Sequence, residues 1–162
     1  MTISTPDLCD EHGDSIQVAE PVFKHYGAIR QFGGEVATVK CFEDNSKVGE
    51  MLRTPGKGRI LLVDGEGSPR RSLLGDQLVN HALKNRWSGI VIYGYIRDVE
   101  EIETMPIGVL ALGVIPRKTE KKGVGEVGIA VAFAGLKIKP GDYLYADCSG
   151  VIVSDRALLA SE

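Results

Sequence analysis

Two short stretches carry residue types that could do chemistry together. Gly75-Asp76-Gln77-Leu78 follows a loop and opens a helical pattern; Arg97-Asp98 lies twenty-one positions after Asp76, just past an apolar run. The first turn of a helix has N–H groups without partners inside the helix, and its dipole is positive there. Gly75 to Leu78 could therefore hold a carboxylate or phosphate. Arg97 adds a planar cation that can grip a carboxylate at two points, and Asp98 adds a hard oxygen ligand of the kind Mg2+ takes. The same residues also have structural readings. Asp98, with Glu101 three residues on, could cap a helix over Val99 to Glu103. Asp76 could complement its own helix dipole, and Arg97 could pair with Glu100 or Glu101.

The elements that must position these residues follow a βαβ rhythm. Glu35 to Phe42 alternates apolar and polar residues, as a half-buried strand does. Arg59 to Asp64, Gly89 to Tyr95 and Val109 to Ile115 are continuous apolar runs, the signature of strands buried on both faces. Between them, Ser46 to Arg53 and Gly75 to Arg86 read as helices, the second with Leu78, Val79, Ala82 and Leu83 on one face. This order predicts right-handed crossovers and mostly parallel pairing. Both candidate stretches then fall at the carboxyl ends of neighbouring strands, where open α/β sheets place their ligands.

Outside this middle section, Thr5-Pro6-Asp7 starts a short amphipathic helix. After Pro116 the pattern becomes β-rich, with strands expected at Gly128 to Phe133, Leu136 to Ile138, Tyr143 to Ala146 and Val151 to Val153. A terminal helix is expected at Asp155 to Ala160. No repeat or linker divides the 162 residues, so one domain over 1–162 is expected.

Composition removes several function classes. A net charge of -3 offers no electrostatic footprint for direct nucleic-acid binding. No apolar run approaches the roughly 18 residues of a membrane span, and the first 20 residues lack a signal-peptide layout. Cys9, Cys41 and Cys148 are odd in number and widely spaced, which suits free thiols in a reducing cytoplasm. Gly123-Val124-Gly125-Glu126-Val127-Gly128 matches a dinucleotide-binding pattern in letters. That pattern must follow a strand and open a helix, and this one does neither, so it reads as a glycine turn. Cys9 with His12 lacks the further ligands a zinc site needs, and His25 and His81 read as structural or surface residues.

Asp76, twenty intervening residues and then Arg97-Asp98 resemble the signature of class II pyruvate aldolases acting on 4-hydroxy-4-methyl-2-oxoglutarate, a family that also contains the regulator of ribonuclease E activity A. The resemblance extends over Leu8-Cys9-Asp10, Phe32-Gly33-Gly34, Thr38 to Asn45, Val91 to Gly94 and Gly141 to Asp147, blocks closest to the regulator branch. It implies an α/β fold of the three-layer β/β/α swivelling type with a mixed sheet, RraA-like, assembled as a homotrimer. It also implies that backbone amides of Gly75, Asp76, Gln77 and Leu78, with the Arg97 side chain, hold a small 2-oxo acid. Asp98 would bind a divalent cation, Mg2+ or Mn2+, with Asp76 supporting its water shell. The implied activity is retro-aldol cleavage to two pyruvates, with oxaloacetate decarboxylation as a side reaction. The implied alternative is a non-catalytic protein that binds and inhibits ribonuclease E.

Overall fold

In the computed structural model, which describes residues 2–160, four parallel strands form the centre. They are β3 (Phe32–Lys40), β4 (Ile60–Asp64), β5 (Gly89–Ile96) and β6 (Gly108–Val114), in that spatial order. Helices α2 (Ser46–Leu52), α3 (Asp76–Lys84) and α4 (Val99–Ile102) fill the three crossovers. Every residue of β4 is buried, which explains why its sequence is apolar without alternation. The strand and helix order of the middle section is as the sequence predicts.

Strand β3 joins two pairing patterns. Val36 to Lys40 pair in parallel with β4, whereas Phe32 to Glu35 pair antiparallel with β10 (Tyr143–Ala146). The sheet continues from β10 through β11 (Val151–Ser154) to β1 (Gln17–Val18), and β2 (Lys24–His25) closes the far edge against β6. A Cβ on Gly33 would lie 2.5 Å from the Tyr145 ring, its register partner. Glycine there lets the Tyr145 ring lie across β3 where the pairing changes.

Two apolar layers flank the central strands. Leu61 and Val63 pack with Leu52, Leu78 and Val79 under the helices. Ile60 and Leu62, on the opposite face, pack with Val153 and with the hairpin of β8 (Val131–Phe133) and β9 (Leu136–Ile138). A third cluster seats α1 (Thr5–His12) through Leu8, with Ile16, Tyr145 and Ile152. The layering is β/β/α around a mixed sheet, as the resemblance implied. Truncating a fully buried residue such as Leu62 to Ala would cost roughly 2–5 kcal/mol.

Two expectations need correction. The terminal helix at Asp155 to Ala160 does not form. The N–H groups of Leu158 and Leu159 donate to the Tyr145 hydroxyl and that of Arg156 to Ser154 Oγ, so side chains satisfy this backbone in place of helical bonds. The expected strand over Gly128 to Phe133 is shorter, because Gly128 turns with φ 73 between β7 (Glu126–Val127) and β8. The edge strands β1 and β2 are two residues each and have no local signature. No helix among the described residues is long and apolar enough to cross a membrane.

Candidate active site at the start of helix α3

Before entering α3, the loop after β4 runs parallel to the end of β5, with a bridge between Ser72 and Tyr95. Its path is set by backbone bonds: Leu73 N–H donates to the Tyr95 carbonyl and Arg97 N–H to the Leu74 carbonyl. These bonds bring the start of α3 against the end of β5, so Asp76 meets Arg97 and Asp98 as the spacing suggested. Gly75 is the N-cap in an extended conformation, and the first helical bond runs from Val79 N–H to the Gly75 carbonyl. The amides before Val79 point out of the helix toward the site.

Asp98 precedes α4 in the left-handed conformation, φ 59, and its side chain does not cap that helix. It turns to α3 instead, where Oδ2 accepts from the Asp76 N–H at 3.1 Å. The helix-cap reading of Asp98 is right in kind and wrong in address. Arg97 makes no ion pair with Glu100 or Glu101; its Nε lies 4.0 Å from Asp98 Oδ2, and Nη1 donates to the Pro116 carbonyl at 3.4 Å. Its guanidinium thus keeps donors for a ligand. A Cβ on Gly75 would stand 2.7 Å from Asp98 Oδ2, so the lack of a side chain there makes room for the carboxylate.

Burial, and then the hydrogen-bonded Asp98 carboxylate, raise the Asp76 pKa above the ordinary value, while the Gln77 N–H partly opposes this. Two carboxylates this close favour sharing a proton or a cation. That is the donor chemistry of a weak Mg2+ site, in which one or two carboxylates are completed by waters and substrate. Among the described residues no group of three or more His, Cys, Asp or Glu could hold a metal, so a fully protein-liganded centre is not what this site resembles.

Gly75 to Leu78, Arg97 and Asp98 line one cavity of about 170 Å3 together with residues that sequence reasoning missed. Arg53 and His81 close one side; Asn45, Thr119, Lys118 and Lys121 close another. Thr119 Oγ1 donates to Asn45 Oδ1 at 2.7 Å. Beneath them Asp44 accepts from Ser46 N–H and Oγ, and from Lys122 and Val124 N–H. These bonds hold the Asp44 pKa down to about 2 against its burial. They also pin the lysine-bearing loop over the cavity. The only hint in the sequence was the basic run Arg117 to Lys122. Four cationic side chains around two carboxylates suit a small anion carrying more than one negative charge.

The remaining motifs play no part here. Gly123, Gly125 and Gly128 all have positive φ in turns around β7, and no helix follows. All three cysteines are free, and burial pushes the Cys41 thiol up to about 12, which leaves it protonated and poorly nucleophilic.

Comparison with known proteins places these features in a group. A family model, RraA-like (Aldolase/RraA), matches residues 5–153. A protein of Ectopseudomonas mendocina named "Putative 4-hydroxy-4-methyl-2-oxoglutarate aldolase" is 53% identical over 162 residues, covering 100% of both chains. One of the same name from Pseudomonas aeruginosa is 52% identical over 162 residues, again covering 100% of each. Two solved structures have nearly the same fold. One from Geobacillus kaustophilus HTA426, described as an S-adenosylmethionine: 2-dimethylmenaquinone methyltransferase, has a TM-score of 0.95 at 46% identity, covering 99% of both chains. The RNA-processing inhibitor RraA from Thermus thermophilis has a TM-score of 0.94 at 38% identity, covering 100% of this chain and 98% of that one.

Proposed function

The chain belongs to the RraA-like aldolase family, and on that premise we propose that it is a divalent-metal-dependent aldolase cleaving 4-hydroxy-4-methyl-2-oxoglutarate to two pyruvates. One observation carries the reading: Arg97 and Asp98 meet the first turn of α3 in a small cation-rich cavity.

In this proposal the amides of Gly75, Asp76, Gln77 and Leu78 bind the carboxylate of the pyruvyl part, with the helix dipole behind them. Asp98 would hold Mg2+ or Mn2+, and Asp76, one hydrogen bond away, would orient the ion's waters. A bound ion would supply Lewis-acid polarisation of the keto oxygen, worth several kcal/mol. Arg97 stays protonated and places fixed positive charge where negative charge develops on that oxygen. As the C3–C4 bond breaks, its electrons pass to the pyruvyl part and the C4 hydroxyl gives its proton to a water held by Arg97 and Asp98. That water can return a proton to C3. Loss of carbon dioxide from oxaloacetate puts charge on the same oxygen, so oxaloacetate decarboxylation follows from the same residues.

The family resemblance extends the proposal to a homotrimer in the cytoplasm. A second reading, a protein that binds and inhibits ribonuclease E, is favoured by the full-length likeness to the RNA-processing inhibitor. Pyruvate release from 4-hydroxy-4-methyl-2-oxoglutarate, measured with Mg2+ and again in excess chelator, separates the two. Release that needs the metal supports the aldolase. No release with Mg2+, together with inhibition of ribonuclease E, leaves the regulator.

A further inference from the structure

Outside the site, a cavity of about 710 Å3 lies on the opposite face of the sheet. Side chains alternate along β4, so Asp64 shares the face of Ile60 and Leu62, toward the β8–β9 hairpin, whereas α3 packs on Leu61 and Val63. Val131, Ile138 and Val153 supply its apolar wall. The Gln17 side chain ties the hairpin edge to its rim, donating to the Lys137 carbonyl and accepting from the Lys137 N–H.

Of the charged residues lining this cavity, Asp142 pairs with Lys139 at 3.2 Å and Asp155 with Arg156 at 3.1 Å, whereas Asp64, Lys40 and Lys137 make no ion pair among the described residues. Asp64 is 5% exposed, and only Oδ1 has a donor, the Glu66 N–H at 2.9 Å. Oδ2 has no hydrogen bond or ion pair among the described residues, and it is not among the side-chain atoms sealed from solvent without a partner. It therefore opens on the cavity. Lys40 is the register partner of Asp64 on the adjacent parallel strand, about 4.8 Å away along the hydrogen-bonding direction and on the same face. It lines the same cavity and makes no ion pair among the described residues. A buried carboxylate is normally matched by donors on both oxygens, because desolvating it unpaired is costly.

We propose that this cavity binds a small zwitterion, an ammonium and a carboxylate on one carbon with an apolar side chain, as in an aliphatic α-amino acid. The ligand ammonium meets Asp64 Oδ2, the ligand carboxylate meets Lys40, and its side chain lies on Val131, Ile138 and Val153. The cavity volume is in the range of small-molecule sites. This proposal does not depend on the aldolase reading, since it uses none of the same residues.

Calorimetric titration of the intact protein with L-leucine, leucinamide and 4-methylpentanoate tests it. L-leucine should bind, and each analogue, lacking one of the two charges, should bind at least about tenfold more weakly, the loss typical of one charged hydrogen bond. Asp64→Asn should weaken L-leucine about tenfold and leave 4-methylpentanoate unchanged; Lys40→Met should weaken L-leucine likewise and leave leucinamide unchanged. If Asp64→Asn does not fold, Lys40→Met, at a partly exposed side chain, carries the test alone. The proposal is overturned if L-leucine gives no binding heat at millimolar concentration, or if all three compounds bind alike.

Discussion

The Asp98 carboxylate caps a helix to which it does not belong: Oδ2 accepts from the Asp76 N–H at 3.1 Å, across 22 positions of sequence. The left-handed backbone at Asp98 turns the side chain away from α4, which it precedes, and onto the first turn of α3. In the proposed reaction, the proposed metal ligand and the proposed substrate-binding amides are thus in direct contact before any ligand arrives.

Gly75→Ala tests whether that contact matters. The added methyl would stand 2.7 Å from Asp98 Oδ2, while the backbone, at φ -134, accepts alanine without strain. Pyruvate release should fall at least about tenfold, the scale of a displaced catalytic group. The thermal midpoint should move by only a few degrees.

Arg97→Lys keeps the charge and loses the planar fork. A lysine ammonium cannot donate from two fixed directions, so it cannot match both a carboxylate and a developing oxyanion. We expect kcat/KM to drop on the order of 100-fold in steady-state pyruvate assays. Circular dichroism should be unchanged, since Arg97 makes no ion pair shorter than 4.0 Å among the described residues.

Proton and cation should compete at the Asp76–Asp98 pair. The folded pKa of Asp76 is raised, by burial first and then by Asp98, so its stabilising effect is present at acid pH and lost as pH rises through the folded value. Added Mg2+ should therefore raise the thermal midpoint more at pH 7 than at pH 4. Asp76→Asn should gain on wild type as pH rises without metal. Midpoints measured over this range, with and without Mg2+, check both signs.

Much of the site was legible because it depends on strand ends. Apolar runs ending at Asp64 and Tyr95 mark strand ends, and the loops that follow them lie at the carboxyl edge of a parallel sheet. That logic found Asp76, Arg97 and Asp98. It could not find Lys118, Lys121 or Thr119, because Asp44 places their loop through bonds to backbone 78 and 80 positions away. No periodicity records such a bond. The same limit explains the misread end of the chain, where the Tyr145 hydroxyl holds Leu158 and Leu159. It also explains β1 and β2, whose pairing is set by partners distant in sequence.

Asp44 itself makes a prediction. Its pKa is held to about 2, below the ordinary 3.8, by bonds to Ser46, Lys122 and Val124. The stability it contributes is full above the ordinary value and disappears as pH falls toward about 2. Asp44→Ala should destabilise the protein by about 2–3 kcal/mol at pH 7 in urea unfolding. The difference from wild type should shrink in acid. Activity should fall as well, since the loop over the cavity loses its anchor.

The most direct test of the central claim is pyruvate release by Asp98→Ala at saturating Mg2+, beside wild type. If Asp98 holds the cation, cleavage of 4-hydroxy-4-methyl-2-oxoglutarate should fall by two orders of magnitude or more, on the order of the loss of a principal charge-stabilising group. Folding stability should change by only about 1 kcal/mol, as for a lost helix cap. Wild-type activity in Asp98→Ala, with the same metal dependence, would contradict the account.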